Sequence, residues 1–325
     1  MSLHPISPTP GTPGTPGLRL LITGANGQVG WNLQRTLGPL GDVTALTREQ
    51  LDLTNLDAVT RVVRDLAPDI LVNAAAYTAV DKAQSEPELA RTINATAPAR
   101  MAQELAKNRC LFVHYSTDYV FDGTKPLDSA YNEDDATGPL NVYGQTKLEG
   151  EQAIIESGCP YLILRSTWVY DTRGKNFLRA VLRLARERDE LRMVSDQYGA
   201  PTWARSIAEA TTIILARCLE HKNESSDWTT GLFHLSAAGK TTWAEFAEAI
   251  MSEYDDCCSW PADTGEFSAP LKAKQVVRIT SDQYQTPARR PRNSVLSNAR
   301  VLQTYGVKMP DWREQLRLAM QDAIR

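Results

Sequence analysis

The chain has 325 residues, a mass of 36.0 kDa, a formal net charge of −4 and a pI of about 5.7. This length allows one large α/β domain and a smaller one, and the 42% of hydrophobic residues can supply a substantial core. Mild acidity and scattered basic residues argue against nucleic acid or an anionic membrane surface as the main partner. The sequence contains no apolar run of about 18 residues, so no membrane span is predicted.

Five cysteines, without C-x-x-C spacing and including the neighbours Cys257 and Cys258, argue against a disulfide framework or a zinc site. They favour a reducing cytoplasm as the location. Residues 1–17 repeat Pro, Thr and Gly. We expect a flexible leader there, because such a segment has no core to bury and lacks the apolar stretch of a secretory signal.

Apolar runs alternate with helical patterns over the first half of the chain. Strands are predicted at residues 18–23, 42–46, 69–76, 110–117 and 161–170. Helices are predicted at residues 29–38, 55–67, 86–108 and 141–154. This alternation predicts an α/β fold with a Rossmann-type, doubly wound parallel sheet. The continuous hydrophobicity of the strands agrees, because helices would cover both faces of the sheet.

The pattern loosens after residue 171. Helices are predicted around residues 175–188, 205–219, 242–254 and 311–324, and a polar loop at 221–231. We expect a nucleotide-binding domain over residues 18–170, with residues around 205–236 returning to it. Residues 171–325 are then mainly a smaller C-terminal α/β domain for a sugar nucleotide, packed over the carboxyl edge of the sheet, where open α/β sheets bind ligands.

A glycine-rich turn joins the first strand to its helix. It reads Gly24-Ala25-Asn26-Gly27-Gln28-Val29-Gly30, a G-x-x-G-x-x-G pattern. Glycines permit a tight turn and close approach of the backbone to a pyrophosphate, with the N–H groups of the helix start facing the phosphates. A plain glycine turn is the alternative. The position at the head of a βαβ series favours a dinucleotide site.

The end of the second strand indicates which nicotinamide cofactor binds. An acid at this position favours the ribose of NAD, whereas an Arg favours the 2′-phosphate of NADP. The chain has Thr47 and Arg48 there, and Asp52 and Leu53 follow on the side expected for the adenine. We therefore predict NADPH, with NADH possible, unless Arg48 is an ordinary surface arginine.

Small and hydroxylated residues occupy the next two strand ends. Three alanines after Asn73 would let a flat cofactor lie against the backbone, and tight strand–helix packing is the alternative. The cofactor-facing residues predicted here are Ala75, Ala76, Tyr77 and Thr78. Ser116, Thr117 and Asp118 end the following strand, where a hydroxyl can bind a substrate carbonyl or simply cap a helix.

The helix predicted at residues 141–154 carries a phenol and an ammonium one turn apart. Tyr143 and Lys147 project from one side of it, while Val142, Leu148 and Ile155 are expected to form its apolar face. A free tyrosine has a pKa of about 10. A neighbouring ammonium would lower that pKa and suit the Tyr to general acid catalysis. A solvated surface pair is the alternative.

Together, the glycine turn, the Asn-Ala-Ala-Ala strand end, the Ser-Thr strand end and Tyr-x-x-x-Lys resemble the extended short-chain dehydrogenase/reductase family. Longer strings narrow the resemblance to the dTDP-4-dehydrorhamnose reductase family. These strings include "VNAAAYTAVDKAQSEPELA", "HYSTDYVFDG", "PLNVYGQTKLEGE", "SDQYGAPT" and "TPARRPRNSVL". The resemblance runs from about residue 18 to the end of the chain.

The resemblance implies an NADPH-dependent reduction of a 4-keto dTDP-sugar. Tyr143 is implied as proton donor, Lys147 as its partner and ribose ligand, and Thr117 as the group that hydrogen-bonds the C4 oxygen. Asp118 and Trp168 are implied as contacts of the deoxysugar or its nucleotide. Related epimerases or dehydratases, and a non-catalytic regulatory subunit, remain the alternatives.

The C-terminal half offers a second set of binding residues. Arg289, Arg290 and Arg292 cluster around a proline, and a guanidinium suits a diphosphate. Arg290 is favoured for that role, with Gln197 and Tyr198 reaching the same site from another loop. Some relatives bind Mg²⁺ at a dimer interface, but "SVLSNARVLQTYG" contains no acid. Mg²⁺ is therefore not favoured, and a monomer or a homodimer is expected.

Overall fold

The computed structural model describes residues 17–225, 227–258 and 270–324. Residues 1–16 of the leader predicted at residues 1–17, and the side chains of Cys257 and Cys258, lie outside this description. Twelve strands are described: β1 Arg19–Thr23, β2 Asp42–Leu46, β3 Ile70–Asn73, β4 Leu111–Thr117, β5 Tyr161–Ser166, β6 Val169–Tyr170, β7 Glu190–Val194, β8 Tyr198–Gly199, β9 Thr202–Trp203, β10 Gly231–His234, β11 Thr241–Thr242 and β12 Gln275–Ile279. The α-helices are α1 Gln28–Thr36, α2 Leu56–Leu66, α3 Val80–Ala83, α4 Pro87–Arg91, α5 Ala97–Ala106, α6 Val142–Glu156, α7 Phe177–Glu187, α8 Ala204–Ser225, α9 Trp243–Cys258, α10 Ala299–Tyr305 and α11 Trp312–Ile324.

Six parallel strands form the central sheet, in the order β2-β1-β3-β4-β5-β10. Alternate side chains of β1 pack on opposite faces. Leu20 and Ile22 join the core beneath α8, whereas Leu21 joins the core beneath α2 and α5. Helices thus cover both faces, and the Rossmann-type doubly wound sheet expected from the sequence is confirmed.

A second lobe packs around its own core, which α7, α9 and α11 share. Leu182, Phe246, Ile250 and Leu316 are among its buried residues. Two strands of this lobe, β7 and β12, pair in parallel although 85 residues separate Glu190 from Gln275. None of the helices in the described ranges is long and apolar enough to cross a bilayer.

Helix α6 lies unusually close to its neighbours. Asn141 caps it by accepting a hydrogen bond from the Gly144 N–H at 2.9 Å. A Cβ at Gly144 would overlap the Tyr119 carbonyl oxygen, and one at Gly150 would overlap the Asn94 carbonyl oxygen. Only glycine allows this approach, which brings α6 against the end of β4.

The predicted apolar face of α6 is wrong in part. Ile155 is 44% exposed, while the buried positions include Lys147, Glu151 and Ile154. The helix buries a charged face because its ionic groups find partners inside the protein. Glu151 accepts two hydrogen bonds from Arg165 of β5, at 2.9 and 2.6 Å.

Other boundaries differ from the predictions for local reasons. The strand expected at 161–170 is interrupted at Trp168, whose φ of +46° lies in the left-handed region. The helix expected at 86–108 contains a π-helical stretch at Thr92–Thr96. The loop expected at 221–231 is wrong over its first five residues, because α8 continues to Ser225, whose hydroxyl bonds the His221 carbonyl at 2.9 Å.

Candidate active site

A cavity of about 1540 Å³ opens at the carboxyl ends of the central strands. Elements that are far apart in the sequence meet there, as expected at the edge of an open α/β sheet. Most of the predicted cofactor residues line it. They are Gly24, Gly27, Gln28, Val29, Arg48, Asp52, Leu53, Ala75, Ala76, Tyr77, Thr78, Tyr143 and Lys147. Thr47 and Gly30 do not border the cavity.

The glycine turn has the geometry that its sequence predicts. Gly24 has a φ of +75°, and a Cβ at this position would lie 2.7 Å from the Ala75 nitrogen. Gly30 is buried beneath the turn, where a Cβ would overlap the Gly24 carbonyl oxygen. Gly30 therefore permits close packing of α1 under β1, while Gly27 and Gln28 border the cavity at the helix start.

Arg48 lies on the cavity wall after β2. Asp52 also lines this wall, and its carboxylate accepts hydrogen bonds from the backbone N–H and the hydroxyl of Thr54, both at 2.9 Å. These bonds, chiefly the one from the backbone, lower the Asp52 pKa. The Arg48 side chain thus belongs to the cavity wall, while the Asp52 carboxylate is engaged in its own turn.

The hydroxyl of Thr117 sits between Tyr143 and Asp118. It donates to the Asp118 carboxylate at 3.0 Å and accepts from the Tyr119 N–H at 3.2 Å. Burial raises the pKa of Tyr143 to about 12, and a hydrogen bond with Thr117 acts in the opposite direction. The expected lowering of the Tyr143 pKa is therefore wrong for this arrangement, because desolvation of the phenolate outweighs the favourable contacts.

Lys147 is 1% exposed and points to the sheet. Its ammonium nitrogen lies 2.6 Å from the Tyr115 carbonyl oxygen and 3.0 Å from Nε2 of His114. Burial lowers the pKa of Lys147 to about 8, against the opposing effect of Glu151. The amine accordingly titrates close to neutral pH.

Asp118 is enclosed rather than open to the cavity. It is 2% exposed, and its second carboxylate oxygen accepts from the Thr167 hydroxyl at 2.8 Å. Burial raises its pKa to about 6, although hydrogen bonds from Ser294, Thr167 and Thr117 oppose that rise. The Asp118 carboxylate thereby binds the Thr117 hydroxyl through one oxygen and the Thr167 hydroxyl through the other.

The predicted substrate residues do not border this cavity. Some of them lie in segments that contact one another. Tyr198 bonds the segment around Arg292 and Ser294 through its backbone, and Gln197 donates to Ser281 at 2.9 Å. Trp168 stacks on Trp243 with ring centroids 3.5 Å apart and an interplanar angle of 9°. The Tyr198 backbone bonds bring the segments 195–202 and 286–296 together.

Arg290 is already paired. Its guanidinium donates to both carboxylate oxygens of Asp81 in α3, at 2.9 and 2.7 Å, and to the Ala288 carbonyl at 2.7 Å. Arg289 and Arg292 are exposed. The three arginines of the cluster thus differ: Arg290 is partly buried in an ion pair, whereas Arg289 and Arg292 lie on the surface.

Sequence reasoning missed part of the cavity wall. Trp31 and Arg35 of α1 border it, and the Arg35 and Arg173 guanidiniums lie 3.7 and 4.0 Å from the centre of the Trp31 ring. The loop from Asp171 to Lys175 also contributes. This loop is polar, contains a glycine and directly follows a predicted strand, and these features could have indicated a place on the cavity wall. Within the described ranges, no group of three or more His, Cys, Asp or Glu side chains could hold a metal ion.

A Rossmann-type sheet whose glycine turn, Tyr143 and Lys147 border one cavity defines an oxidoreductase of the extended short-chain dehydrogenase/reductase class. More narrowly, the chain belongs to the dTDP-4-dehydrorhamnose reductase family. The family model for the RmlD substrate binding domain matches residues 18–324.

Individual relatives cover nearly the whole chain. The dTDP-4-dehydrorhamnose reductase of Burkholderia thailandensis is 48% identical over 94% of this chain and 99% of its own length. That of Escherichia coli K12 is 42% identical over 91% and 95%. A crystal structure of the Bacillus anthracis enzyme in complex with NADP is 33% identical, with a TM-score of 0.80 over 94% of this chain and 99% of that one.

Proposed function

We propose that this protein reduces the C4 keto group of dTDP-4-dehydro-L-rhamnose to give dTDP-L-rhamnose, with NADPH as the reductant. The observation that carries this proposal is that Tyr143 and Lys147 of α6 border the same cavity as the glycine turn, with Thr117 acting on the Tyr143 phenol. Relatives with this activity in their names, at 42–48% identity over most of the chain, support it.

Each group has one task in the proposed reaction. The bound nicotinamide supplies the hydride to C4 of the sugar. The Tyr143 phenol delivers a proton to the C4 oxygen as negative charge develops there. The Thr117 hydroxyl, which donates to the Asp118 carboxylate in this structure, would turn its proton to that oxygen and keep it in line with the phenol. Lys147 binds the nicotinamide ribose and, in its protonated form, stabilises the phenolate that proton transfer leaves.

The buried Tyr143 suits a proton donor. Its pKa of about 12 keeps the phenol protonated across the neutral range, so the proton is present when substrate arrives. The cost is a phenolate in a desolvated site. The hydrogen bond with Thr117 offsets part of that cost, because it favours the charged form of the Tyr.

The sugar nucleotide is assigned to the cleft between the sheet edge and the second lobe. Trp168, held in its left-handed conformation by the stack on Trp243, would face the deoxysugar. Arg290, with Gln197 and Tyr198 nearby in the fold, would bind the diphosphate. This assignment corresponds to a division of the chain into a nucleotide-binding unit, residues 18–170 with the segments around 205–236, and a mainly substrate-binding unit formed by the rest.

The proposal is tested with the Tyr143→Phe variant in an assay that contains dTDP-4-dehydro-L-rhamnose and NADPH. Loss of the general acid should lower turnover at least about 100-fold, while NADPH still binds. Tyr170→Phe is the matched control, since Tyr170 is a fully buried phenol in the core of the second lobe. Near-normal turnover of Tyr143→Phe would refute the assignment, and conversion of a sugar nucleotide without net NADPH oxidation would indicate an epimerase or dehydratase instead.

A further inference from the structure

His114 is a buried polar residue in the middle of β4, directly after three apolar residues. It is 0% exposed and stands in β4 three residues before Thr117. The proposed reaction assigns it no task. Its ring nevertheless lies between two polar side chains, with Nδ1 at 3.0 Å from the Asn73 amide nitrogen and Nε2 at 3.0 Å from the Lys147 nitrogen.

The Asn73 amide determines which ring nitrogen carries the proton. Its oxygen accepts from the Thr23 hydroxyl at 2.6 Å and from the Ala75 backbone N–H at 3.2 Å, so its nitrogen faces His114. An amide N–H requires an acceptor, and Nδ1 of His114 is therefore unprotonated. Burial holds the His114 pKa well below its usual value, so the neutral ring carries its one proton on Nε2.

The protonated Nε2 faces the amine of Lys147. A neutral amine has a lone pair that can accept this N–H, and its own N–H groups can still donate to the Tyr115 carbonyl oxygen at 2.6 Å. An ammonium has no lone pair and would turn a donor toward a donor. The arrangement of Thr23, Asn73 and His114 thus favours the uncharged form of Lys147.

We propose that His114 is a positioning residue, whose Asn73-oriented ring holds the Lys147 nitrogen at the cavity floor and donates Nε2–H to it. This role rests on the proposed function, in which Lys147 serves Tyr143 and the cofactor. His114 then sets how easily Lys147 gives up and regains its proton, without touching substrate or cofactor.

The charges around Lys147 are few. Glu151, one turn later on α6, raises the Lys147 pKa, but its carboxylate is bound by Arg165 of β5. The helical segment packed against α6 contributes Asn94, which is uncharged. His114 is consequently the polar contact whose replacement most directly changes the balance between amine and ammonium.

The test measures the titration of Lys147 itself. The side-chain carbons of ¹³C-labelled lysine report its protonation by NMR, and the Lys147 signal is assigned by its loss in Lys147→Met. In His114→Gln the amide can turn its oxygen to an ammonium, so the Lys147 midpoint should rise by about one pH unit, the scale of one net hydrogen bond. His234→Gln is the control, because His234 is equally buried in β10 and bonds the Tyr131 carbonyl instead.

An unchanged Lys147 midpoint in folded His114→Gln would overturn the proposal, as would an equal shift in His234→Gln. Asn73→Asp is the second variant, in case His114→Gln does not fold. A carboxylate there draws the ring proton to Nδ1 and exposes an acceptor to Lys147, so the midpoint should rise again. The titration is measured without turnover. Its result is therefore independent of whether the Tyr143→Phe assay supports or refutes the proposed reaction. If the protein does turn over substrate, the alkaline limb of its pH profile of kcat/KM should shift together with the Lys147 titration midpoint.

Discussion

Burial decides the ionisation of Asp118 more than its neighbours do. The carboxyl pKa is about 6 in the folded protein and about 4 in an unfolded chain. The folded state therefore binds this proton more tightly than the unfolded chain does. Protonation of Asp118 adds fully to the free energy of unfolding below pH about 4, and this addition is lost as the pH rises through about 6. A carboxylate with three hydroxyl donors is still penalised, because each bond replaces only part of its hydration.

This pKa predicts a pH-dependent difference between the parent and Asp118→Asn. On going from pH 7 to pH 5, the free energy of unfolding of the parent should rise by about 1 kcal/mol relative to the variant, which has no proton to bind. Urea denaturation at both pH values measures the difference. A difference that stays constant between pH 7 and pH 5 would mean that the Asp118 pKa is near its ordinary value.

Arg48 predicts the choice of cofactor. It lies on the cavity wall after β2, where its guanidinium can meet a 2′-phosphate. A charge-assisted hydrogen bond is worth roughly 1.5–3 kcal/mol, or about tenfold to a hundredfold in affinity. Arg48→Ala should weaken NADPH by this factor and leave NADH nearly unchanged, as measured by fluorescence titration. Arg61→Ala, an exposed arginine of α2, is the control, and equal binding of both cofactors to the Arg48 variant contradicts the role.

At the scale of the secondary-structure element, the start of α6 matters most. The Asn141 cap orders the first turn, which carries Tyr143, and its amide also donates to the Arg289 carbonyl at 2.8 Å. Helix α2 has the same kind of cap, since Asn55 accepts from the Ala58 N–H at 3.0 Å. Two asparagines thus perform one structural task, but only one of them lies beside the proposed proton donor.

The pair gives a matched prediction. Asn141→Ala and Asn55→Ala should each lower the free energy of unfolding by about 1 kcal/mol, the usual cost of a lost cap. Turnover should fall at least about tenfold in Asn141→Ala alone, because misplacing a catalytic group by a fraction of an ångström is costly. Urea melts and initial rates measure both effects. Equal turnover in the two variants would show that the cap supports only the helix.

At the scale of the whole molecule, an ion pair joins the two halves of the chain. Asp81 of α3 and Arg290 of the C-terminal loop are 209 residues apart, and Arg290 lowers the Asp81 pKa. The Arg290 side chain is 20% exposed and that of Asp81 is 42% exposed. The pair holds the C-terminal loop against the first lobe at the rim of the proposed sugar-nucleotide cleft.

Arg290→Ala should raise the KM for the dTDP-sugar by about tenfold, the scale of one charge-assisted contact. The KM for NADPH should stay unchanged, since Arg290 does not line the cofactor cavity. Steady-state kinetics with each substrate varied separately give both values, and Arg289→Ala, an exposed neighbour, is the control. A normal KM for the sugar nucleotide would leave Arg290 with a purely structural pairing to Asp81.

The sequence by itself determined the features that depend on near neighbours. The βαβ order, the glycine turn, and the position of Tyr143 and Lys147 one turn apart follow from periodicity and turn chemistry, which act over a few residues. The resemblance of the quoted strings to a reductase family also needed no structure. These features single out the predicted cofactor residues, most of which the structure brings to one cavity.

Only the tertiary structure decided the environment of those residues. The burial that raises the Tyr143 pKa and lowers that of Lys147 comes from strands and loops remote in the sequence. The engagement of Arg290 by Asp81 and the pairing of β7 with β12 join segments more than 80 residues apart. A local pattern carries no information on such partners, because desolvation and pairing depend on which distant groups the whole fold brings together.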